Sequence, residues 1–189
     1  MKRFREFWAA NSRQVVRFWT NQIVMSILGI SVGLATIGLG IPAVSIVGCV
    51  FTIGLLCFLQ YDGLFQLGVK HHYRAADAAR PAKTLGLKVT LLGSCPLFLI
   101  ILIGLLLSLF ASDSANVICM LIYYALHGSY LQLQTYFVVD GTIGWLGGPY
   151  GWLVCLLLTL PAILSGTLGY LLGALDRPIH MIFSPKRGK

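Results

Sequence analysis

The sequence predicts an all-α fold: a polytopic transmembrane helix bundle of four to five crossings, preceded by an N-terminal interfacial amphipathic helix. Three observations predict it. Hydrophobic residues make up 57% of the 189 and charged residues only 11%, against roughly 25% charged in a typical soluble domain. A soluble fold of this size could not bury that much apolar surface. The apolar residues also gather into long runs, with no Lys or Arg from Phe18 to Val69 or from Val89 to Asp176. An apolar helix needs about 20 residues to cross ~30 Å of hydrocarbon, so the first interval holds two crossings and the second two or three. Finally, the cations fall in three clusters flanking these runs: the N-terminus, Lys70–Lys88 and Arg177–Lys189.

The chain reads as one integral membrane domain, residues 1–189. Residues 1–19 carry Phe4, Phe7, Trp8, Val15, Phe18 and Trp19 near one helical stripe, with Arg3, Arg5, Arg13 and Arg17 mostly off it. That pattern suits a helix lying in the headgroup layer. The apolar stretch that follows runs on without an A-x-A cleavage site, so the first membrane segment is expected to be retained. Residues 21–61 form a helical hairpin, 21–37 and 43–61, closed by a tight turn at GLGIP, Gly38 to Pro42. A basic cytoplasmic loop occupies 62–88. The second apolar region, 85–176, contains a segment over 85–110 with Pro96 inside it, the turn ASDSAN, and a segment over Val117–Val139. It ends with the loop DGTIGWLGGPYG and a segment over 152–172 with Pro161 in its middle. A basic tail, 177–189, closes the chain.

The positive-inside tendency puts all three cation clusters on the cytoplasmic face. The loop and the tail are then separated by an even number of crossings, although three apolar segments lie between them. The Val117–Val139 segment is the weakest span, because its second half carries His127, Ser129, Gln132, Gln134 and Thr135. It is expected to be re-entrant or to lie along the outer surface, a placement tolerated where the backbone is buried in protein or faces water. The rival is five crossings with the tail outside.

Candidate sites follow from polar residues in apolar surroundings. His127 with Tyr124, Tyr130, Gln132, Gln134 and Asp140, rimmed by Trp145, Tyr150 and Trp152, is the candidate ligand pocket. A neutral imidazole bonded across to another helix is the plainer account of His127. Asp62, at the inner end of the 43–61 segment, is the ion or proton candidate if it faces the bundle interior, and otherwise closes the helix by pairing with Lys70 or Arg74. His71 and His72 are neighbours and point about 100° apart on a helix, so they do not chelate one metal together. Asp77, flanked by Arg74 and Arg80, reads as a solvated helix with local ion pairs that stops at Pro81. Small residues at spacing four, Gly29–Gly33, Gly144–Gly148, Gly147–Gly151 and Gly169–Gly173, allow close helix packing within the chain or between copies.

Cys49, Cys57, Cys95, Cys119 and Cys155 each sit in an apolar run, form no CxxC pair and are odd in number. They read as small buried hydrophobes, with no disulfide framework and no metal site. No Walker loop, H-E-x-x-H or G-x-S-x-G occurs, DGTIGW lacks the further aspartates of a phospholipid head-group transferase, and six acidic residues leave little for paired-carboxylate chemistry. No cofactor is expected. The +8 charge sits at membrane-flanking positions, so it speaks for lipid headgroups and not for nucleic acid.

From FWTNQIVMSILGISVGLAT through LQYDGLFQLGVKHHYRAADAARPAKTLGLKVTLLGSCP to GTLGYLLGALDRP, the layout resembles a loose group of uncharacterised small multi-pass proteins of Gram-positive gut bacteria. The resemblance covers most of the chain and implies a bacterial cytoplasmic membrane protein; it transfers no mechanism. The expected function is that of a non-enzymatic membrane component: a small-solute binding or transport protein, or an accessory subunit of a transport complex, working in the bilayer with other subunits or with copies of itself. A homo-oligomeric channel or carrier using Asp62 or His127 is the alternative, and a lipid-modifying enzyme the third.

Overall fold

A computed structural model of the chain describes residues 2–74, 84–110, 113–131, 133 and 149–175, which are helical apart from short turns; no strand occurs among them. Helix α1 (Lys2–Gly38) and helix α2 (Pro42–Arg74) form an antiparallel hairpin. The turn between them is the one expected at GLGIP. Gly40 takes φ +64°, a left-handed conformation that glycine adopts without a Cβ clash, and Pro42 opens α2 at a position where its missing N–H costs nothing.

Both helices differ from expectation in length. Residues 2–38 are one continuous helix, not a separate interfacial helix followed by a span, because no proline or glycine interrupts the chain before Gly29. Likewise α2 runs three turns past Asp62, so the connection that was expected to begin there begins after Arg74. Its glycines are held by packing: Gly68 lies against the backbone of Tyr170–Ala174. Asp77, Arg80 and Pro81 lie outside the described residues.

Helix α3 (Leu85–Gly93) and helix α4 (Cys95–Phe110) meet at Ser94 with a 52° bend. Pro96 explains the break, since it offers no N–H to the carbonyl of Leu92. Helix α5 (Asp113–His127) ends in a 3₁₀ turn, Gly128–Tyr130. Helices α6 (Pro149–Leu158) and α7 (Leu160–Ala174) are separated only by a turn at Thr159, next to Pro161.

Three stretches are long and apolar enough to cross a bilayer: Phe4–Thr36, Pro42–Tyr73 and Tyr150–Ala174. A fourth follows if the bent α3–α4 pair counts as one span. The distribution of polarity agrees with a lipid surround. Ile27, Leu34, Val47, Val50, Phe58, Phe110 and Leu164 face outward, whereas Ser26, Thr52, Gln60, Thr90, Asn116 and Thr159 are buried. Hydrocarbon gives apolar side chains no reason to turn inward, so small and polar residues take the helix contacts.

The α2–α7 pair sets the architecture. Ser165 Oγ donates to Cys57 O. A Cβ on Gly169 would overlap Tyr61 O, and one on Gly173 would overlap Phe65 O. Residue 57 thus meets 165, 61 meets 169 and 65 meets 173, which makes the two helices parallel. Gln60 Nε2 donates to Phe18 O at 2.9 Å, which fixes the antiparallel register of α1 on α2. The start of α1, the end of α2 and the end of α7 therefore share one end of the bundle, called here the basic end. The 39–41 turn, the end of α4 and the starts of α5 and α6 lie at the opposite end.

Two buried clusters hold the helices. One gathers Val15, Phe18, Leu56, Leu64, Val89 and Tyr170 among α1, α2, α3 and α7. The other gathers Leu97, Ile101, Met120, Tyr123, Trp152 and Cys155 among α4, α5 and α6. Trp152, expected at a pocket rim, is fully buried in the second cluster. Its ring fills the space that Gly104 leaves open, and Nε1 donates to Asn116 Oδ1 at 3.2 Å. Of the cysteines, Cys49, Cys119 and Cys155 are buried and Cys57 is half-buried, but Cys95 is exposed at the outward side of the α3–α4 bend.

Candidate functional site

Helix α5 enters from the end opposite the basic cluster and gives way to the 3₁₀ turn Gly128–Tyr130 inside the bundle, after which Leu131 and Leu133 are again helical. Its last turn reaches Thr52, ten residues into α2 and so roughly 15 Å from that helix's start. That is about half the hydrocarbon thickness. A helix terminus strands backbone N–H and C=O groups, and in apolar surroundings protein groups must satisfy them.

Two hydroxyls of the α1–α2 hairpin do so instead. Ser26 Oγ donates to Ala125 O at 2.8 Å and accepts from the Gly128 N–H. Thr52 Oγ1 donates to Ser129 O at 2.8 Å. Close approach makes this possible: a Cβ on Gly128 would stand 2.6 Å from Ser26 O, and one on Gly29 would stand 2.5 Å from Gly128 O. Gly29 is thus spent on an intramolecular contact, as are Gly169 and Gly173 on α2, while Gly33 is buried.

His127 lies at the break with 1% of its surface exposed. Its Nδ1 is 2.8 Å from Tyr123 Oη, and its ring stacks on Tyr130 with centroids 4.3 Å apart. Tyr123 Oη also reaches Cys155 O at 3.5 Å. Among the described residues, two polar atoms of this cluster have no hydrogen-bond partner, His127 Nε2 and Tyr130 Oη; Gln22 Oε1 on α1 is a third buried atom in the same condition. If Nδ1 accepts from Tyr123, Nε2 carries an unpaired proton. If Nδ1 donates, Nε2 is an unpaired acceptor. Either way the group is costly, by about 1–3 kcal/mol per unsatisfied buried atom. Such a site offers one imidazole nitrogen and one phenol to a small polar guest.

The structure joins His127 and Tyr130 as expected. It sets Tyr124 beside them, half-buried against the α4–α6 cluster, and gives the contact with His127 to Tyr123. Tyr150 is exposed at the start of α6. Gln132, Gln134, Asp140 and Trp145 lie outside the described residues. Asp62 does not face the bundle interior. It accepts from Gln66 Nε2 at 2.8 Å and borders an outward, mainly apolar groove of about 740 Å³ between α2 and α7. His71 and His72 do not share a ligand: His71 Nδ1 is 3.2 Å from Tyr170 Oη and His72 Nδ1 is 3.0 Å from Ala174 O, so both tie α2 to α7.

Ser26, Thr52 and Tyr123 were not singled out by sequence reasoning. The usable signal was Ser26 three residues before Gly29, a small-residue face able to admit another backbone. Comparison with protein-family models, curated proteins and solved structures finds no match to this chain.

Proposed function

We propose that the chain is a non-enzymatic integral membrane protein that binds or moves a small solute, alone or as a subunit of a transport complex, and that α5 is its working element. One observation carries this reading. A helix is interrupted inside the bundle, the backbone groups at the break are satisfied by Ser26 and Thr52, and yet His127 Nε2 and Tyr130 Oη are without partners among the described residues. Discontinuous helices ending near the midplane are a recurrent way to present polar groups to a solute, and intramembrane ionisable groups are expensive unless they have a task.

In this reading the protein sits in a bacterial cytoplasmic membrane with four crossings: α1, α2, α3–α4 and α6–α7. The basic end is cytoplasmic and α5 is re-entrant from outside. The parallel α2–α7 pairing supports it, since the start of α1, the end of α2 and the end of α7 then share a face. The first turns of α1, with Phe4 stacked on Trp8 at 6.3 Å, lie in the headgroup layer.

Substituted-cysteine accessibility tests the working element without knowledge of the solute. His127→Cys and Ser129→Cys, each on a cysteine-free background in sealed vesicles, should react with a small membrane-impermeant thiol reagent from the face opposite the basic end. Reaction only after denaturation would reduce α5 to a packing element and end the proposal.

A further inference from the structure

A second site lies at the basic end, away from α5. Between the first half of α1 and the last turns of α2 is a cavity of about 630 Å³ lined by Arg13, Gln14, Arg17, Asn21, Lys70 and His71, with Leu67 also on its wall. Arg13, Arg17 and Asn21 repeat every four residues, so α1 presents them on one face, and Lys70 faces them from α2. The site is built, not incidental. Arg17 crosses α2 at Gly63, its Cζ and Nε in ordinary contact at 3.6 Å from where a Cβ would stand. His71 is anchored by Tyr170 Oη at 3.2 Å.

Arg13, Arg17 and Lys70 line the cavity together, and among the described residues no acidic side chain does. Asp62 is engaged with Gln66 and borders a different groove. Like charges held together beside a low-dielectric wall repel one another and raise the local affinity for an anion. Guanidinium forks match phosphate oxygens in two-point contacts.

An apolar neighbour decides what carries the phosphate. A groove of about 440 Å³ runs along the adjacent face of α1 between Trp8, Val15, Trp19, Leu92 and Leu99, and Val16 lines both it and the basic cavity. A polar, cationic recess and an apolar groove thus stand side by side with Val16 as a common wall. We propose that Arg13, Arg17 and Lys70 form a phosphate-binding site for an anionic membrane lipid whose acyl chain lies in the Trp8–Leu99 groove. Basic pockets between helices on the cytoplasmic side commonly take such headgroups.

The test uses the full-length protein in phosphatidylcholine nanodiscs, with the thermal midpoint and native mass spectrometry as readouts. Doping with phosphatidic acid or phosphatidylglycerol should raise the midpoint saturably and give one retained anionic lipid per chain. Arg13→Gln and Arg17→Gln should each weaken that binding by about fivefold, the effect of one cation near an anionic headgroup. Arg5→Gln, a change in an exposed arginine outside the cavity, should leave it unchanged. Glycerol 3-phosphate supplies the same phosphate without a chain and should neither stabilise nor compete at equal concentration. Equal competition by glycerol 3-phosphate would overturn the lipid as the source. Equal loss with Arg5→Gln would reduce the effect to general surface charge, and the absence of a saturable shift would remove the site. If Arg17→Gln lowers the midpoint in phosphatidylcholine alone, exposed Arg13 still decides the matter.

Discussion

Replacing Gly29 with alanine probes the contact on which the α5 terminus depends. A Cβ at this position would overlap Ser129 Cα and stand 2.5 Å from Gly128 O and 2.6 Å from Ser129 N. Comfortable carbon contacts begin near 3.5 Å, so the 3₁₀ turn must retreat from α1 by about 1 Å. The Ser26–Ala125 and Thr52–Ser129 bonds, both 2.8 Å now, would then exceed hydrogen-bonding distance. Overpacking costs about 1–3 kcal/mol, and each interhelical bond lost in a membrane adds about 0.6 kcal/mol. The expected destabilisation is therefore about 2–4 kcal/mol. Gly54→Ala is the control, since a Cβ there meets nothing within 4 Å; helix propensity alone makes it neutral or stabilising by up to ~1 kcal/mol. Both variants are measured by denaturant titration in micelles. A Gly29→Ala protein within about 0.5 kcal/mol of the parent, the range of ordinary surface changes, would refute the close approach of α5 to α1.

Two further outcomes are expected. Gly173→Ala should destabilise by about 1–3 kcal/mol, the usual range for overpacking, because its Cβ would stand 3.0 Å from Phe65 C and Val69 N. Gly63→Ala, meeting Arg17 at an ordinary 3.6 Å, should not, and equal effects would contradict the α2–α7 register. Single cysteines near Met1, Ala79 and Lys189 on a cysteine-free background should all label from the cytoplasmic side only, whereas labelling of position 189 from outside would favour five crossings.

Features that depend on local backbone chemistry were legible in the sequence. GLGIP announced its turn through a glycine able to take positive φ and a proline suited to open the next helix; Pro96 stood out inside the single segment expected over 85–110, which the structure breaks into α3 and α4. Features that depend on which helix lies opposite were not. The residues after Asp62 are polar enough to read as loop, but a polar helix held by a neighbour shows no hydropathy signal, and α7 holds this one through Gly68, His71 and His72. Trp152 sits in PYGWLVCLLL, whose nearly uniform apolarity marks no face, so burial and a pocket rim could not be told apart. His127 and Tyr130 were legible because polar groups in an apolar run stand out; Ser26 and Thr52 were not, because a hydroxyl in a membrane helix usually bonds its own preceding turn.

Those two hydroxyls bear on the topology as well as on the site. The proposed four crossings put an even number between the loop after Arg74 and the tail, in keeping with the cation clusters, and the parallel register of Ser165, Gly169 and Gly173 on α2 supports the same parity without reference to charge. In the proposed four-crossing reading, three apolar segments meet that parity with one of them turning back. Turning back at mid-depth strands the last carbonyls of a helix in a medium that offers nothing to bond them, at several kcal/mol each. Ser26 and Thr52 stand on opposite arms of the hairpin at the depth where α5 ends, and between them they engage Ala125 O, Gly128 N and Ser129 O. A bundle that answers three backbone groups at that point and leaves the imidazole and phenol beside them unanswered has the polar means to satisfy its own fold. The unpaired His127 and Tyr130 atoms therefore stand apart from a general failure of packing, and this contrast makes them the place to look for a guest.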